Sequence, residues 1–119
     1  MRISELSAKT QVSVHRLRRY EADGLIESQR LPNRYREYDE KTVKHVIFIA
    51  MSREMGFSLS FIAEYLPRFK AGQLSAQDMI DAILARVAEI DQLVAEKKAL
   101  RKKLMDHIGW FKTQARRTP

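Results

Sequence analysis

The chain has 119 residues, carries a net charge of +7 and contains no cysteine. This length is enough for one small domain and an extension, and the positive charge favours a polyanionic partner. The lack of cysteine excludes disulfides and thiolate metal sites within this sequence. No apolar run approaches the ~18 residues that a membrane span needs, so we expect a cytoplasmic protein with no membrane partner.

Five helices are predicted, because five residues with a capping side-chain oxygen each precede a segment of helical apolar spacing. These residues are Ser4, Ser13, Asp39, Ser58 and Ser75. The first two helices are short and are separated by a turn at Thr10 and Gln11. Two short helices with a tight link predict a helix-turn-helix.

The stretch from Ile26 to Tyr38 contains a Pro32-Asn33 turn signal between two runs that can pair as a hairpin. We interpret this hairpin as a wing. A third helix is predicted from Asp39 to Met55, and a fourth from Ser58 to Leu66, which Pro67 should end. The winged helix-turn-helix domain should therefore cover residues 1–70, with a linker at 71–74.

After Ser75 neither proline nor glycine occurs until Gly109, which predicts one long helix over residues 75–112 and a disordered basic tail over 113–119. Its apolar residues step by seven in two series, a pattern typical of a coiled-coil seam. Lys97 and Arg101 interrupt both series, and we expect a sideways displacement of the seam toward Leu93, Leu100, Leu104 and Phe111. The dimer interface is assigned to Ile80, Ile83, Val87, Ile90, Val94 and Leu104.

The second helix carries four cationic or imidazole side chains, whereas Val14 and Leu17 face the core. A basic helix of this kind suits the major groove of DNA, although a solvated basic face is the alternative. The basic residues of this helix are His15, Arg16, Arg18 and Arg19. The wing adds Arg30, Arg34, Tyr35, Arg36 and Tyr38, which suit phosphates and the minor groove; Tyr38 fits the core equally well.

The order of these residues resembles the MerR family over roughly the first 70 positions. The family's second helix reads leucine, arginine, tyrosine, tyrosine, glutamate, and Leu17 to Glu21 match it with Arg19 in place of one tyrosine. Gly24-Leu25 precede the wing as in the family, and 34–38 match the wing signature. Arg34 and Gln11 stand where the family has glycine. Asp39 and the run 55–59 match the third and fourth helices.

The resemblance implies a homodimer on a near-palindromic promoter site, with the long helices pairing antiparallel and the bound DNA distorted so that RNA polymerase can use it. The fold it implies is mainly α, a winged helix-turn-helix followed by a long C-terminal coiled-coil helix. Contact with DNA is assigned to three groups of residues. These are Ser13, His15, Arg16, Arg18, Arg19 and Tyr20 in the second helix, Arg34, Tyr35 and Arg36 in the wing, and Arg53, Phe57 and Ser58 at the second wing region.

No cofactor or metal is predicted, and the effector is unknown. Two histidines, His45 and His107, offer nitrogen ligands across a dimer, but histidines on helices are more often packed or solvent-facing. Trp110 and Phe111 suit either a ligand pocket between subunits or ordinary packing. The basic cluster of Lys97, Lys98, Arg101, Lys102 and Lys103 fits a second DNA contact, a partner surface or a solvated face.

Three other classes of protein agree less well with the sequence. An enzyme would need a nucleophile with a base, a carboxylate pair in a cleft or a phosphate-binding glycine loop, and the sequence contains none of these patterns. A coiled-coil adaptor would leave the basic second helix and wing unexplained. The alternative that stays open is a non-activating architectural or excisionase-like DNA-binding protein, against which the long heptad helix argues.

Overall fold

The computed structural model describes residues 1–117, and within this range five helices and a two-stranded sheet follow one another. The elements are α1 (Ile3–Thr10), α2 (Val14–Ala22), β1 (Gln29–Arg30), β2 (Arg36–Glu37), α3 (Lys41–Glu54), α4 (Leu59–Lys70) and α5 (Ala76–Arg117). The mainly helical architecture with a small wing and a long C-terminal helix is confirmed. The chain divides into two compact units, one spanning Met1–Ser75 and one beginning at Ala76.

Helices α1 and α2 form the helix-turn-helix because their apolar residues meet in one core. Leu6, Val12 and Leu17 are at most 3% exposed. The turn between the helices is closed by Gln11, whose φ of 58° is left-handed and whose backbone N–H donates to the Ser7 carbonyl. Ser13 then caps α2, since its hydroxyl accepts a hydrogen bond from the backbone N–H of Arg16.

The wing is an antiparallel hairpin in which Gln29 faces Glu37 and Arg30 faces Arg36. The Arg34 backbone N–H donates to the Leu31 carbonyl, and Arg34 itself is left-handed with φ 68°. A tight turn followed by one left-handed residue is a common hairpin connection. The Asn33 side chain accepts a hydrogen bond from the Tyr35 backbone and stabilises the turn.

Helices α3 and α4 complete the core of the first unit. Val46, Ile49 and Ile62 are fully buried, and Phe48 on α3 stacks on Phe69 of α4 with ring centroids 4.5 Å apart. Aromatic stacking of this kind adds to the apolar burial. This packing fixes the α3–α4 junction that presents Arg53.

Several predicted boundaries were wrong. Helix α1 begins at Ile3, after Arg2 rather than Ser4, and α3 begins at Lys41, whose backbone N–H is bound by the Asp39 side chain. Helix α4 continues through Pro67 to Lys70, because Leu66 and Phe69 pack on α3 and tertiary burial outweighs the hydrogen bond that proline cannot donate.

Helix α5 extends to Arg117, so residues 113–117 are helical and not the expected disordered tail. The last two positions of that expected tail, 118 and 119, lie outside the described residues. No helix in the described range is long and apolar enough to cross a membrane.

His45 lies half-buried on α3, with its ring edge-on to Phe69 at 6.3 Å between centroids. It lines a cleft of about 770 Å³ together with Lys70 and several acidic residues of the wing and of the segment before α3. Burial, and secondarily the nearby Lys70 ammonium, lowers the pKa of His45 below its ordinary value of 6.5. The folded protein therefore favours neutral His45.

Replacing Gln11 with glycine should stabilise the first unit. A non-glycine residue in the left-handed region costs about 1–2 kcal/mol, and the extra backbone freedom of glycine in the unfolded chain offsets about 0.4–1 kcal/mol of that gain. We expect the free energy of unfolding in urea to rise by about 0.5–1 kcal/mol. Gly24→Ala is the matched control, because Gly24 has φ 77° and no atom lies within 4 Å of the new Cβ. This variant should lower the free energy of unfolding. An unchanged free energy of unfolding in Gln11→Gly would contradict the strain argument.

The His45 environment predicts a loss of stability in mild acid. Because its folded pKa is below the unfolded value of 6.5, the unfolded chain binds the proton first, and the free energy of unfolding should fall as pH drops below about 6.5 until the folded pKa is passed. His45→Gln should flatten this part of the profile measured by urea unfolding. His15→Gln, at an exposed position of α2, is the control and should keep the slope; an equal slope in the His45 variant would refute the assignment.

Candidate nucleic-acid interface

Helix α2 separates its apolar and basic residues onto opposite faces. Leu17 and Tyr20 are buried, at 0% and 6% exposure. The four side chains predicted to contact DNA from this helix are all exposed: His15, Arg16, Arg18 and Arg19. The helix therefore presents a basic face over residues 15–19, and its N-terminal backbone N–H groups add a positive dipole end.

A recess of about 330 Å³ brings together arginines that are distant in sequence. Arg16 and Arg19 line it from α2, and Arg53 lines it from the end of α3, with Tyr20, Asp23 and Leu59 completing the wall. Three guanidinium groups around one recess create a positive site suited to a phosphate oxygen. Sequence reasoning selected these arginines separately, and the fold places them together.

Each of these arginines contacts a neighbouring group, and two of the three groups belong to buried residues. The Arg16 guanidinium donates to the Tyr20 hydroxyl at 2.8 Å, and the Arg53 guanidinium donates to the Phe57 carbonyl at 3.0 Å. Arg19 approaches Asp23 at 4.0 Å. Each arginine has a defined direction because its partner is fixed by packing or by the same helix.

This geometry revises two of the predicted contacts. Phe57 is 7% exposed and stacks on Phe61 at 4.0 Å, so its side chain is part of the core and only its backbone carbonyl serves the site, by holding Arg53. Tyr20 is also buried, and its hydroxyl orients Arg16. Ser58 caps α4 by accepting from the Phe61 backbone, and it marks the exposed N-terminus of that helix.

The wing is joined to α2 through Glu21. One carboxylate oxygen of Glu21 lies 2.7 Å from the Arg36 guanidinium, and the other accepts a 2.8 Å hydrogen bond from the Tyr38 hydroxyl. Tyr38 is 1% exposed, which places it in the core. Burial, followed by the hydrogen bond to Glu21, raises the pKa of Tyr38 above its ordinary value of 10, so the phenol stays neutral and keeps donating.

The exposed tip of the wing contacts one residue outside the wing that the sequence did not indicate. The Arg2 guanidinium lies over the Tyr35 ring, 4.0 Å from its centroid, which is a cation–π contact. Arg34 and Tyr35 are exposed at the wing tip. Arg2 directly precedes α1, and no local pattern distinguishes it, because its contact with the wing exists only after folding.

The residues assigned to a dimer interface lie on α5 and are all exposed in the single chain, at 37–58%. Exposed apolar side chains at heptad spacing indicate a surface that another helix covers. Within residues 1–117 no group of three His, Cys, Asp or Glu side chains has metal-ligand proximity.

Two family models match the chain. One, described as MerR HTH family regulatory protein, matches residues 1–68, and the other, described as MerR, DNA binding, matches residues 43–107. The mercuric resistance operon regulatory protein of Bacillus cereus is 33% identical over 106 residues, which are 88% of this chain and 80% of that protein. The regulator HmrR of Rhizobium leguminosarum bv. viciae is 31% identical over 91% of this chain and 83% of its own length.

Solved structures show the same fold. The transcription regulator PbrR691 from Ralstonia metallidurans CH34, solved in complex with lead(II), has a TM-score of 0.70 and 31% identity, with 89% of this chain and 83% of that chain covered. HiNmlR, a MerR family regulator lacking the sensor domain and bound to promoter DNA, has a TM-score of 0.60 at 18% identity, over 82% of this chain and 75% of that chain. The second likeness concerns the fold alone.

Proposed function

The chain belongs to the MerR family of DNA-binding transcription regulators, and from this premise we propose that it binds a near-palindromic promoter site as a homodimer and distorts the DNA to control transcription. Members of the family are regulators and not enzymes, which confirms the expectation that this chain is no enzyme. The proposal places the protein in the cytoplasm, with promoter DNA as its partner and RNA polymerase as the machinery it acts on indirectly.

The observation that carries the proposal is the recess where Arg16, Arg19 and Arg53 meet beside the exposed face of α2. A helix that enters the major groove needs its flanks fixed to the DNA backbone, because phosphate contacts set its register. Arg18 and His15, which lie exposed on α2, then reach base edges or phosphates. The recess takes a backbone phosphate next to them.

The wing supplies the second contact. Arg34 and Tyr35 at its tip, with Arg2 stacked on Tyr35, form a cationic and aromatic edge that suits the sugar–phosphate backbone or the minor groove. Arg36 has a different role, because Glu21 already compensates its charge at 2.7 Å. We assign Arg36 to holding the wing in place against α2.

The dimer is assigned to α5. Ile80, Ile83, Val87, Ile90, Val94 and Leu104 form its proposed interface. Two symmetric copies then place two α2 helices on one face of the DNA, with half-sites separated by about 34–36 Å. Distorting the DNA between them costs roughly 1–6 kcal/mol, which the phosphate contacts offset.

This sequence contains no cysteine, so thiolate coordination of a soft metal is not available to these residues. The effector is therefore to be sought in other chemistry.

The proposal is tested by selecting binding sites from a random DNA pool with the purified protein while light scattering measures its oligomeric state. We expect a two-fold symmetric motif bound by one dimer. Ile83→Asp should give a monomer that enriches no symmetric motif, because a carboxylate in the interface would be buried without a partner. Ala99→Asp, on the opposite face of α5, is the control; a wild-type monomer on an asymmetric site would favour the architectural alternative.

Arg18 of α2 and Arg36 of the wing should differ in how strongly salt weakens the binding of the selected DNA site. Arg18→Ala should weaken binding and reduce the slope of log affinity against log salt by about one, since one phosphate-facing charge is lost. Arg36→Ala should weaken binding with little change of slope, because Glu21 compensates that charge. Lys44→Ala, an exposed cation on α3, is the control, and unchanged affinity in both arginine variants would refute the assigned contacts.

A further inference from the structure

The charges of α5 are divided between its two halves. Residues 76–96 carry five acidic side chains and one basic side chain, whereas residues 97–117 carry eight basic side chains and one acidic side chain. A parallel pair of such helices would place like charges side by side. An antiparallel pair places each acidic half against a basic half, so charge complementarity selects a second copy in the antiparallel direction.

The apolar seam of α5 is longer than the sequence pattern first suggested. We define the seam as the residues that alternate at spacings of three and four from Ile80: Ile80, Ile83, Val87, Ile90, Val94, Lys97, Arg101, Leu104, Ile108 and Phe111. Leu104 and Phe111 continue the series of Ile83 and Ile90, so the expected sideways displacement is wrong for these two residues. Lys97 and Arg101 are therefore two cations inside one continuous seam.

In one antiparallel register, every seam residue of one copy lies opposite a seam residue of the other copy. Seam residues then face each other as Ile80 with Phe111, Ile83 with Ile108, Val87 with Leu104, Ile90 with Arg101, and Val94 with Lys97 of the partner subunit. The residues that flank the seam also match. They face each other as Leu84 with Met105, Leu93 with Leu100, and Asp91 with Lys98 of the partner subunit. This agreement places the two-fold axis beside residues 95 and 96.

The register concentrates positive charge at the axis. Lys97, Lys98 and Arg101 already line, with Ile90, Leu93 and Val94, a largely apolar recess of about 350 Å³ on the single helix. Two copies bring six cations to the axis against four carboxylates. Lys98 engages Asp91, and Glu96 lies outside the seam, where it accepts a hydrogen bond from the Gln92 amide at 3.1 Å. Lys97 and Arg101 then lack a protein carboxylate, and covering charged groups without a counter-charge is costly.

Resting on the proposed dimer, we propose that this surface is an anion site, in which Lys97 and Arg101 at the two-fold axis bind a small oxyanion of the phosphate type. Lys97 and Arg101 lie one helical turn apart, about 6 Å along the helix, close enough to share one phosphate group. The arginine supplies a planar fork and the lysine a point charge, which together match a tetrahedral dianion.

Binding at the axis links the anion to the oligomeric state. In the dimer the Lys97 and Arg101 side chains of both copies converge on the anion, whereas a monomer offers one such pair, so the anion binds the dimer more tightly and stabilises it over the monomer. Because DNA binding requires two half-sites to be engaged together, the anion also strengthens operator binding. The regulator thereby gains an effector site that needs no thiolate.

The test measures the dimer dissociation constant of the full chain by sedimentation equilibrium in chloride and in inorganic phosphate at equal ionic strength. For one anion per dimer, phosphate at ten times its own dissociation constant should tighten the dimer roughly tenfold. The double variant Lys97→Met/Arg101→Met should lose this phosphate dependence and dimerise more tightly in chloride, because its seam is apolar throughout. Lys102→Met/Lys103→Met, which removes two charges outside the seam, is the control and should keep the phosphate effect.

Each outcome decides between the proposals. A dimer with no preference for phosphate over chloride, or a preference that survives in the seam variant, overturns the anion site and leaves the dimer standing. A monomer in every buffer overturns the proposed function instead. A phosphomonoester that tightens the dimer more than inorganic phosphate supports the site and identifies a metabolite as its source, whereas equal effects support it with free phosphate.

Discussion

The carboxylate of Glu21 is the contact on which the proposed DNA surface depends. It receives the buried Tyr38 hydroxyl and the Arg36 guanidinium, so one side chain of α2 fixes the strand that leads out of the wing. The two donors satisfy this half-buried carboxylate, whereas removal of either donor would leave it under-satisfied. The wing has only two residues in each strand, too few to hold a position by backbone pairing alone.

Two turns in the first unit are likewise held in place by the residues around them. Gln11 and Arg34 both adopt left-handed backbone conformations, at the two positions where the family has glycine. The main-chain path is therefore retained although the residue that adopts it most easily is absent. The surrounding packing offsets the free-energy cost of the left-handed conformation at the first turn, since Leu6, Val12 and Leu17 are buried on either side of it. The cost is strain, and the benefit is an additional cation at the wing tip.

Helix α5 follows a different principle, because nothing within its own length buries its apolar face. It has 42 residues and none of them is buried in the single chain. The seam specifies one pairing register by disfavouring the others. A fully apolar stripe would allow several registers, whereas two cations within the seam and the divided charge pattern make most registers unfavourable. The same cations that cost stability define the anion site proposed at the axis. Stability and response to a ligand are thus properties of one short segment.

The sequence by itself determined the elements that depend on local signals. The helix caps at Ser13 and Ser58, the turn at Pro32 and Asn33, and the heptads of α5 are all readable from neighbouring residues, and the family's residue order identified the winged fold. Only the tertiary structure decided the rest. It carried α4 through Pro67, buried Tyr20, Tyr38 and Phe57, stacked Arg2 on Tyr35, and brought Arg53 to Arg16. Periodicity reports which face of a helix is apolar, but the partner across that face is set by contacts between residues far apart in sequence.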